Sequence, residues 1–177
     1  MSTAGVNLSL RERCAAIELL VLDVDGVLTA GGIIYGSHRG EAAQEIKIFH
    51  VRDGSGLKLW HAAGKRSAIL TGRTSPLVRL RADELGIGRV LQGAENKRVG
   101  LEQLLRDEGM EPRAVCYVGD DLPDAAAMRQ VGLAVAPADA CADARATAHY
   151  IAKASGGQGA VRETIERILR CQAKWNG

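Results

Sequence analysis

Apolar residues in this chain fall into short continuous runs, separated by longer stretches with helical spacing. Leu19-Leu20-Val21-Leu22 is the cleanest run, and it stops at Asp23. An apolar run without alternation reads as a strand buried on both faces of a parallel sheet. Ser67–Leu70, Arg89–Leu91 and Ala114–Val118 repeat the pattern. Leu133–Ala136 is a weaker copy, and Tyr150-Ile151 is a candidate edge. Helical patterns sit between the runs. A short leading helix fits 8–16, with Ser9 as its cap. Further helices fit 54–63, 75–85, 97–108, 121–130 and 160–173. Ser75 is placed as N-cap with Pro76 at the first helical position, and Gly86 closes that helix. In the last helix Val161, Ile165, Ile168 and Leu169 form one apolar stripe.

Strand and helix alternating over short connections predict the α/β class. The expected fold is a Rossmann-like three-layer parallel sheet with helices on both faces. Two segments fall outside the alternation. In residues 26–50, Ile33-Ile34-Tyr35 and Glu45–Phe49 flank a Gly-Ser-His-Arg-Gly turn, which predicts a small β-hairpin insertion over 32–49. Ala154–Gly159, ASGGQG, predicts a flexible link that opens a C-terminal tail over 154–177.

Composition narrows the class. A chain of 177 residues with 46% hydrophobic residues is long and apolar enough for one folded domain over 1–177, not a disordered segment. Two Trp, three Tyr and one Phe leave the core to aliphatic side chains. No apolar stretch reaches the ~18 residues of a membrane span. The net charge of +2 comes from 23 basic and 21 acidic residues, well mixed, so neither nucleic acid nor membrane is an expected partner. Cys14, Cys116, Cys141 and Cys171 form no CxxC pair and have no His at ligand spacing. Together with the lack of a signal-peptide pattern, this predicts a cytoplasmic protein with reduced thiols.

The chemistry concentrates at expected strand ends, where open α/β sheets bind ligands. Asp23 and Asp25 follow the first strand directly, and Gly26 allows a sharp turn. A lone Asp-x-Asp also serves as a plain acidic loop. A second cluster, Asp120, Asp121 and Asp124, follows the strand at 114–118. A helix N-cap accounts for Asp121 alone, but three acids call for a hard divalent cation, Mg2+ by its preference for carboxylate and phosphate oxygens. Thr71 and Gly72 end another strand and suit phosphate oxygens, although a Thr in a turn is as good a reading. Lys97 opens a helix where the dipole disfavours a cation, and contact with an anion would account for it. Arg52 and Arg73 sit beside motif positions at expected strand ends, with a surface ion pair as the alternative. His38, His50, His61 and His149 lack ligand spacing and read as surface or core.

The order DVDG, TGR, Lys97 and GDD resembles the four motifs of the haloacid dehalogenase superfamily. FHVRDGSGLKLW, VGLAVAPADA and GGQGAVRE extend the resemblance over residues 18–171, to the 3-deoxy-D-manno-octulosonate 8-phosphate phosphatase family. The resemblance implies a magnesium-dependent phosphomonoester hydrolase. It makes Asp23 the nucleophile and Asp25 the general acid and base. It makes Asp120 a metal ligand, joined by an oxygen of Asp23 and the backbone carbonyl of Asp25. Thr71, Gly72 and Lys97 would hold the phosphoryl group, with Asp121 and Asp124 in support. Arg52, Arg73 and Gln158 would meet the sugar. Thr71 follows Asp25 by 46 positions and Asp120 follows Lys97 by 23, which leaves no room for a cap domain. The resemblance therefore implies a homotetramer, with neighbouring subunits covering the site through hairpin and tail. Ala30 and Gln158 depart from the family's LTDG and GGRG patterns. A phosphatase for a nine-carbon acid-sugar 9-phosphate or another small sugar phosphate is the alternative. A non-catalytic oligomerisation module is a second.

Overall fold

A computed structural model describes residues 8–37 and 42–175. Its centre is a six-stranded parallel sheet made of β1 (Leu19–Leu22), β4 (Arg66–Leu70), β5 (Arg89–Leu91), β6 (Val115–Val118), β7 (Leu133–Ala136) and β8 (Tyr150–Ile151). The spatial order is β5-β4-β1-β6-β7-β8. Leu22 pairs with Ile69 on one side and Val118 on the other, so β1 is central. Its four residues are fully buried, as an apolar run without alternation requires. Leu20 and Leu22 feed one core, and Leu19 and Val21 feed the other.

The first core is closed by α1 (Leu10–Ala15), α2 (Val51–Ala62), α3 (Pro76–Leu85) and α7 (Ala160–Cys171). The second is closed by α4 (Lys97–Glu108), α5 (Leu122–Met128) and α6 (Ala142–Thr147). Trp60 fills the first core, with its indole N–H donating to the Arg66 carbonyl at 2.6 Å. Caps fall where the sequence puts them. Ser9 forms a capping box with Glu12, Ser75 caps α3 ahead of Pro76, and Gly86 ends α3 in the left-handed conformation. The hairpin is β2 (Ile34–Gly36) paired antiparallel with β3 (Gln44–Ile46). Part of its turn, including His38, lies outside the described residues.

Three expectations need correction. Helix α2 begins at Val51, not at 54, so Arg52 and Asp53 lie on a helix and Arg52 is not at a strand end. Gly54 and Gly56, both inside the expected helix, are contact points. A Cβ on Gly54 would meet Arg81 at 2.6 Å, and one on Gly56 would meet Arg162 at 3.1 Å. Tertiary packing outweighs glycine's weak helix propensity here. Helix α6 went unpredicted because ADARAT carries no apolar stripe. Helix α5 ends at Met128, short of 130. All four cysteines are free thiols. No helix among the described residues is long and apolar enough to cross a membrane.

Candidate active site

Strands β4, β1 and β6 are neighbours, so their carboxyl ends bring Thr71, Asp23 and Asp120 together. The parallel ladder continues past the strands. The N–H of Asp23 donates to the Val118 carbonyl at 3.1 Å, and that of Thr71 to the Leu91 carbonyl at 2.9 Å. The result is a cleft of about 360 Å³ lined by Asp23, Asp25, Thr71, Gly72, Lys97 and Asp120, with Arg73 and Asp121 at its border.

Lys97 is buried, and its ammonium lies 2.7 Å from Asp23 Oδ2 and 2.6 Å from Asp124 Oδ1. Those two contacts outweigh the repulsion of the α4 dipole, whose N-cap is Asn96. Burial pulls the Lys97 pKa down, but Asp23 and Asp124 more than offset it and hold the amine above the usual lysine value. Asp124 is fully buried and fully engaged. Oδ1 also accepts from the Tyr117 hydroxyl at 2.7 Å, and Oδ2 accepts from the N–H groups of Asp120 and Asp121 at 3.2 Å each. Asp124 therefore braces Lys97 and the turn at 120–121. Asp121 caps α5 through the Leu122 N–H at 2.8 Å.

Oxygens of Asp23, Asp120 and Asp124 lie within 4.8 Å of one another. Such crowding raises pKa values. Burial and the Asp124 carboxylate push Asp23 up to about 6, against the pull of Lys97. Burial and the neighbouring carboxylates push Asp120 up to about 7. Oδ1 of Asp23 and Oδ1 of Asp120 are buried without a hydrogen-bond partner. Two unpartnered carboxylate oxygens facing one space fit a hard cation such as magnesium. The saturated Asp124 does not offer a free oxygen. Gly26 makes the arrangement sterically allowed: its φ is +87°, and a Cβ there would stand 2.0 Å from Asp120 Oδ2.

Asp25 faces the mouth of the cleft. Its Oδ1 accepts from Lys47 Nζ at 2.5 Å, and its Oδ2 lies 3.6 Å from Arg73 Nε. Arg73 also reaches Glu45 Oε1 at 2.7 Å. Lys47 and Glu45 were not foreseen from the sequence. Their signal was present in the alternation Glu45-Ile46-Lys47-Ile48, read only as an amphipathic strand. The polar positions turn toward the cleft, while Ile46 and Ile48 are exposed at 46% and 68%.

The remaining motifs converge behind the loop at 26–30. Asp53, buried in α2, accepts from the N–H of Gly159 at 3.2 Å and of Arg162 at 2.8 Å, capping α7 from a distance of over a hundred residues in sequence. Asp139 accepts from the Gly156 N–H at 2.9 Å, and the Gly157 N–H donates to Val27 at 2.9 Å. A Cβ on Gly156 would lie 1.9 Å from the Gly26 carbonyl oxygen. Gly156 and Gly157 are thus needed for close backbone packing on residues 26–30, and the segment is a brace, not a free link. Gln158 and Arg52 do not reach the cleft within the chain. They line a separate groove beside α7.

Comparison with known proteins gives one consistent answer. The haloacid dehalogenase-like hydrolase family matches residues 41–132. The 3-deoxy-D-manno-octulosonate 8-phosphate phosphatase KdsC of Yersinia pestis is 44% identical over 166 residues, 94% of this chain and 87% of that protein. The Escherichia coli K12 protein of the same name is 44% identical over 89% of this chain and 82% of its own length. A crystal structure of the Moraxella catarrhalis phosphatase, in complex with magnesium, phosphate and a KDO molecule, superposes with a TM-score of 0.88. It is 41% identical and covers 92% of this chain and 91% of that one. A cobalt-bound form from Haemophilus influenzae gives 0.84 at 35% identity, covering 91% and 92%.

Proposed function

This chain belongs to the haloacid dehalogenase-like hydrolases, and from that premise we propose that it hydrolyses 3-deoxy-D-manno-octulosonate 8-phosphate to the free acid sugar and phosphate. The observation that carries the reading is the buried Lys97–Asp23 pair facing Asp120 and Thr71 across one cleft, in a chain 44% identical to a phosphatase of that substrate. Magnesium is the cofactor. Asp23, Asp120 and the backbone carbonyl of Asp25 would hold it, and it supplies positive charge opposite the phosphoryl oxygens.

Asp23 is the nucleophile. A carboxylate oxygen of Asp23 attacks phosphorus, the bond to the sugar oxygen breaks, and an aspartyl-phosphate forms on Asp23. Lys97 masks the charge of Asp23 so that the anionic ester can approach. The Thr71 hydroxyl and the Gly72 N–H hold phosphoryl oxygens in line, since phosphoryl transfer is mainly positioning and charge stabilisation. Asp25 delivers a proton to the departing sugar alkoxide. It then takes a proton from the water that attacks the aspartyl-phosphate, which restores Asp23 and releases phosphate. Asp124 and Asp121 act behind this chemistry, by fixing Lys97 and the start of α5.

Arg73 meets the sugar at the mouth of the cleft. Arg52 and Gln158 contribute only from a neighbouring subunit. The protein works as a single catalytic domain over 1–177, in the cytoplasm, assembled as a homotetramer. Support for assembly is the exposed apolar hairpin: Ile33, Tyr35 and Ile48 are 59%, 64% and 68% exposed beside an uncapped cleft. Phosphate release from the eight-carbon ester, with and without magnesium, tests the activity. Light scattering tests the assembly, and an active monomer would refute it.

A further inference from the structure

A second concavity, of about 550 Å³, lies along the outer face of α7 beside β8 and the start of α2, and shares no lining residue with the cleft of its own subunit. Arg52 and Gln158, assigned above to a neighbour's sugar, line one part of it and are left out of the site that follows. The rest of its wall carries four cations, Lys153, Arg162, Arg167 and Arg170, against two carboxylates, Glu163 and Glu166. Both carboxylates are engaged. Glu163 accepts from the N–H groups of Lys153 and Ala154 at 3.0 Å and from the Tyr150 hydroxyl. Glu166 takes Arg170 at 2.6 Å and Arg162 at 3.8 Å.

Lys153 and Arg167 have no carboxylate within 4.0 Å among the described residues. Aromatic contact holds the guanidinium of Arg167, and aromatic contact together with the long Glu166 pair holds that of Arg162. Arg167 lies 3.9 Å from the Tyr150 ring centre, and Arg162 lies 4.8 Å from that of Trp175. Stacking uses the face of a guanidinium and leaves its edge N–H groups free. On the groove wall, Nε of Arg167 and Nε of Arg162 are buried without a hydrogen-bond partner, the latter with only Glu166 at 3.8 Å. Buried donors without acceptors are costly and rare in folded proteins. Excess positive charge, fixed guanidinium edges and unfilled donors all call for one kind of ligand, rich in anionic oxygens.

We propose that the α7 groove is a second, non-catalytic anion site that binds a small phosphate-bearing molecule through Lys153, Arg162 and Arg167. The ligand's oxygens accept from the guanidinium edges, and the Lys153 ammonium adds a point charge. A polyphosphate can engage more of the cations than a single phosphate. Pyrophosphate therefore binds more tightly than inorganic phosphate.

The test titrates metal-free protein with inorganic phosphate and pyrophosphate at constant ionic strength, by calorimetry and tryptophan fluorescence. The Trp175 ring lies against Arg162 of the groove and Trp60 is enclosed in the core, so a fluorescence change reports on the groove. Saturable binding is expected, with pyrophosphate the tighter ligand. Asp23→Asn leaves it intact, and Lys153→Gln with Arg167→Gln weakens it at least tenfold while turnover of an aryl phosphate is unchanged. Either single substitution serves if the pair does not fold, with a severalfold loss expected. Three results would overturn the proposal: no saturable response beyond a chloride control, equal affinity in the groove variants, or loss of binding on Asp23→Asn alone.

Discussion

Nζ of Lys97 lies 2.7 Å from Oδ2 of Asp23, inside a pocket that leaves less than a tenth of either side chain exposed. The pair concentrates opposite charges where a phosphate dianion must arrive, and its strength comes from the low local dielectric. Lys97 thereby makes a buried carboxylate approachable by an anion. Asp23→Asn removes the proposed nucleophile while relieving the repulsion from Asp120 and Asp124. Turnover should vanish and the melting temperature should hold or rise. Near-normal turnover would remove Asp23 from its role.

Asp25 stands at the mouth of the cleft, between Lys47 and Arg73. In the proposed role of proton donor and acceptor it would contribute about 10²–10⁴-fold, the usual range for general acid–base catalysis. Asp25→Asn should cost that much on a sugar phosphate. The loss in the first step should be smaller on an aryl phosphate, whose leaving group needs no proton. Single-turnover measurements on both esters make the comparison, and an equal loss in that step would contradict the assignment.

The raised pKa values give magnesium a pH signature. In metal-free protein Asp23 titrates at about 6 and Asp120 at about 7, whereas unfolded aspartate titrates near ~3.9. Both groups bind protons more tightly folded than unfolded. Their contribution to stability is therefore largest below ~4 and falls as pH rises to ~7. Magnesium favours the ionised forms and competes with those protons. Thermal melts at about pH 5 and about pH 8 should show a larger magnesium-induced rise at the higher pH. Equal rises would mean that these carboxylates do not hold the ion.

Gly156 packs its backbone on the loop that carries Asp25. Gly156→Ala should displace residues 26–30, because a Cβ would fall 1.9 Å from the Gly26 carbonyl oxygen. A displacement near ~1 Å costs about 10²-fold in turnover. Aryl phosphate kinetics and a thermal melt should show both activity and stability falling. Wild-type kinetics in this variant would show that the brace does not matter.

The sequence made the sheet legible because strands buried on both faces leave an unmistakable apolar run. It made Asp23, Asp25, Thr71, Lys97 and Asp120 legible because strand-end chemistry sits directly after those runs. What stayed hidden depended on contacts distant in the chain. The N-terminal turn of α2 was missed because His50 makes no side-chain cap and Asp53 makes its hydrogen bonds to the distant Gly159 and Arg162. Asp53 looked like part of a substrate motif until its bonds to Gly159 and Arg162 were seen. Lys47 was hidden in an ordinary alternation, since nothing local says that the polar positions at 45 and 47 turn toward the cleft.

The most direct measurement is kcat/KM for release of phosphate from the eight-carbon acid-sugar 8-phosphate and from a nine-carbon acid-sugar 9-phosphate, each with magnesium and after exhaustive chelation. A preference of at least about tenfold for the eight-carbon ester, or ~1.4 kcal/mol in transition-state binding, is expected. Both activities should be lost on chelation and restored by magnesium. A preference for the nine-carbon ester, or turnover that survives chelation, would contradict the account.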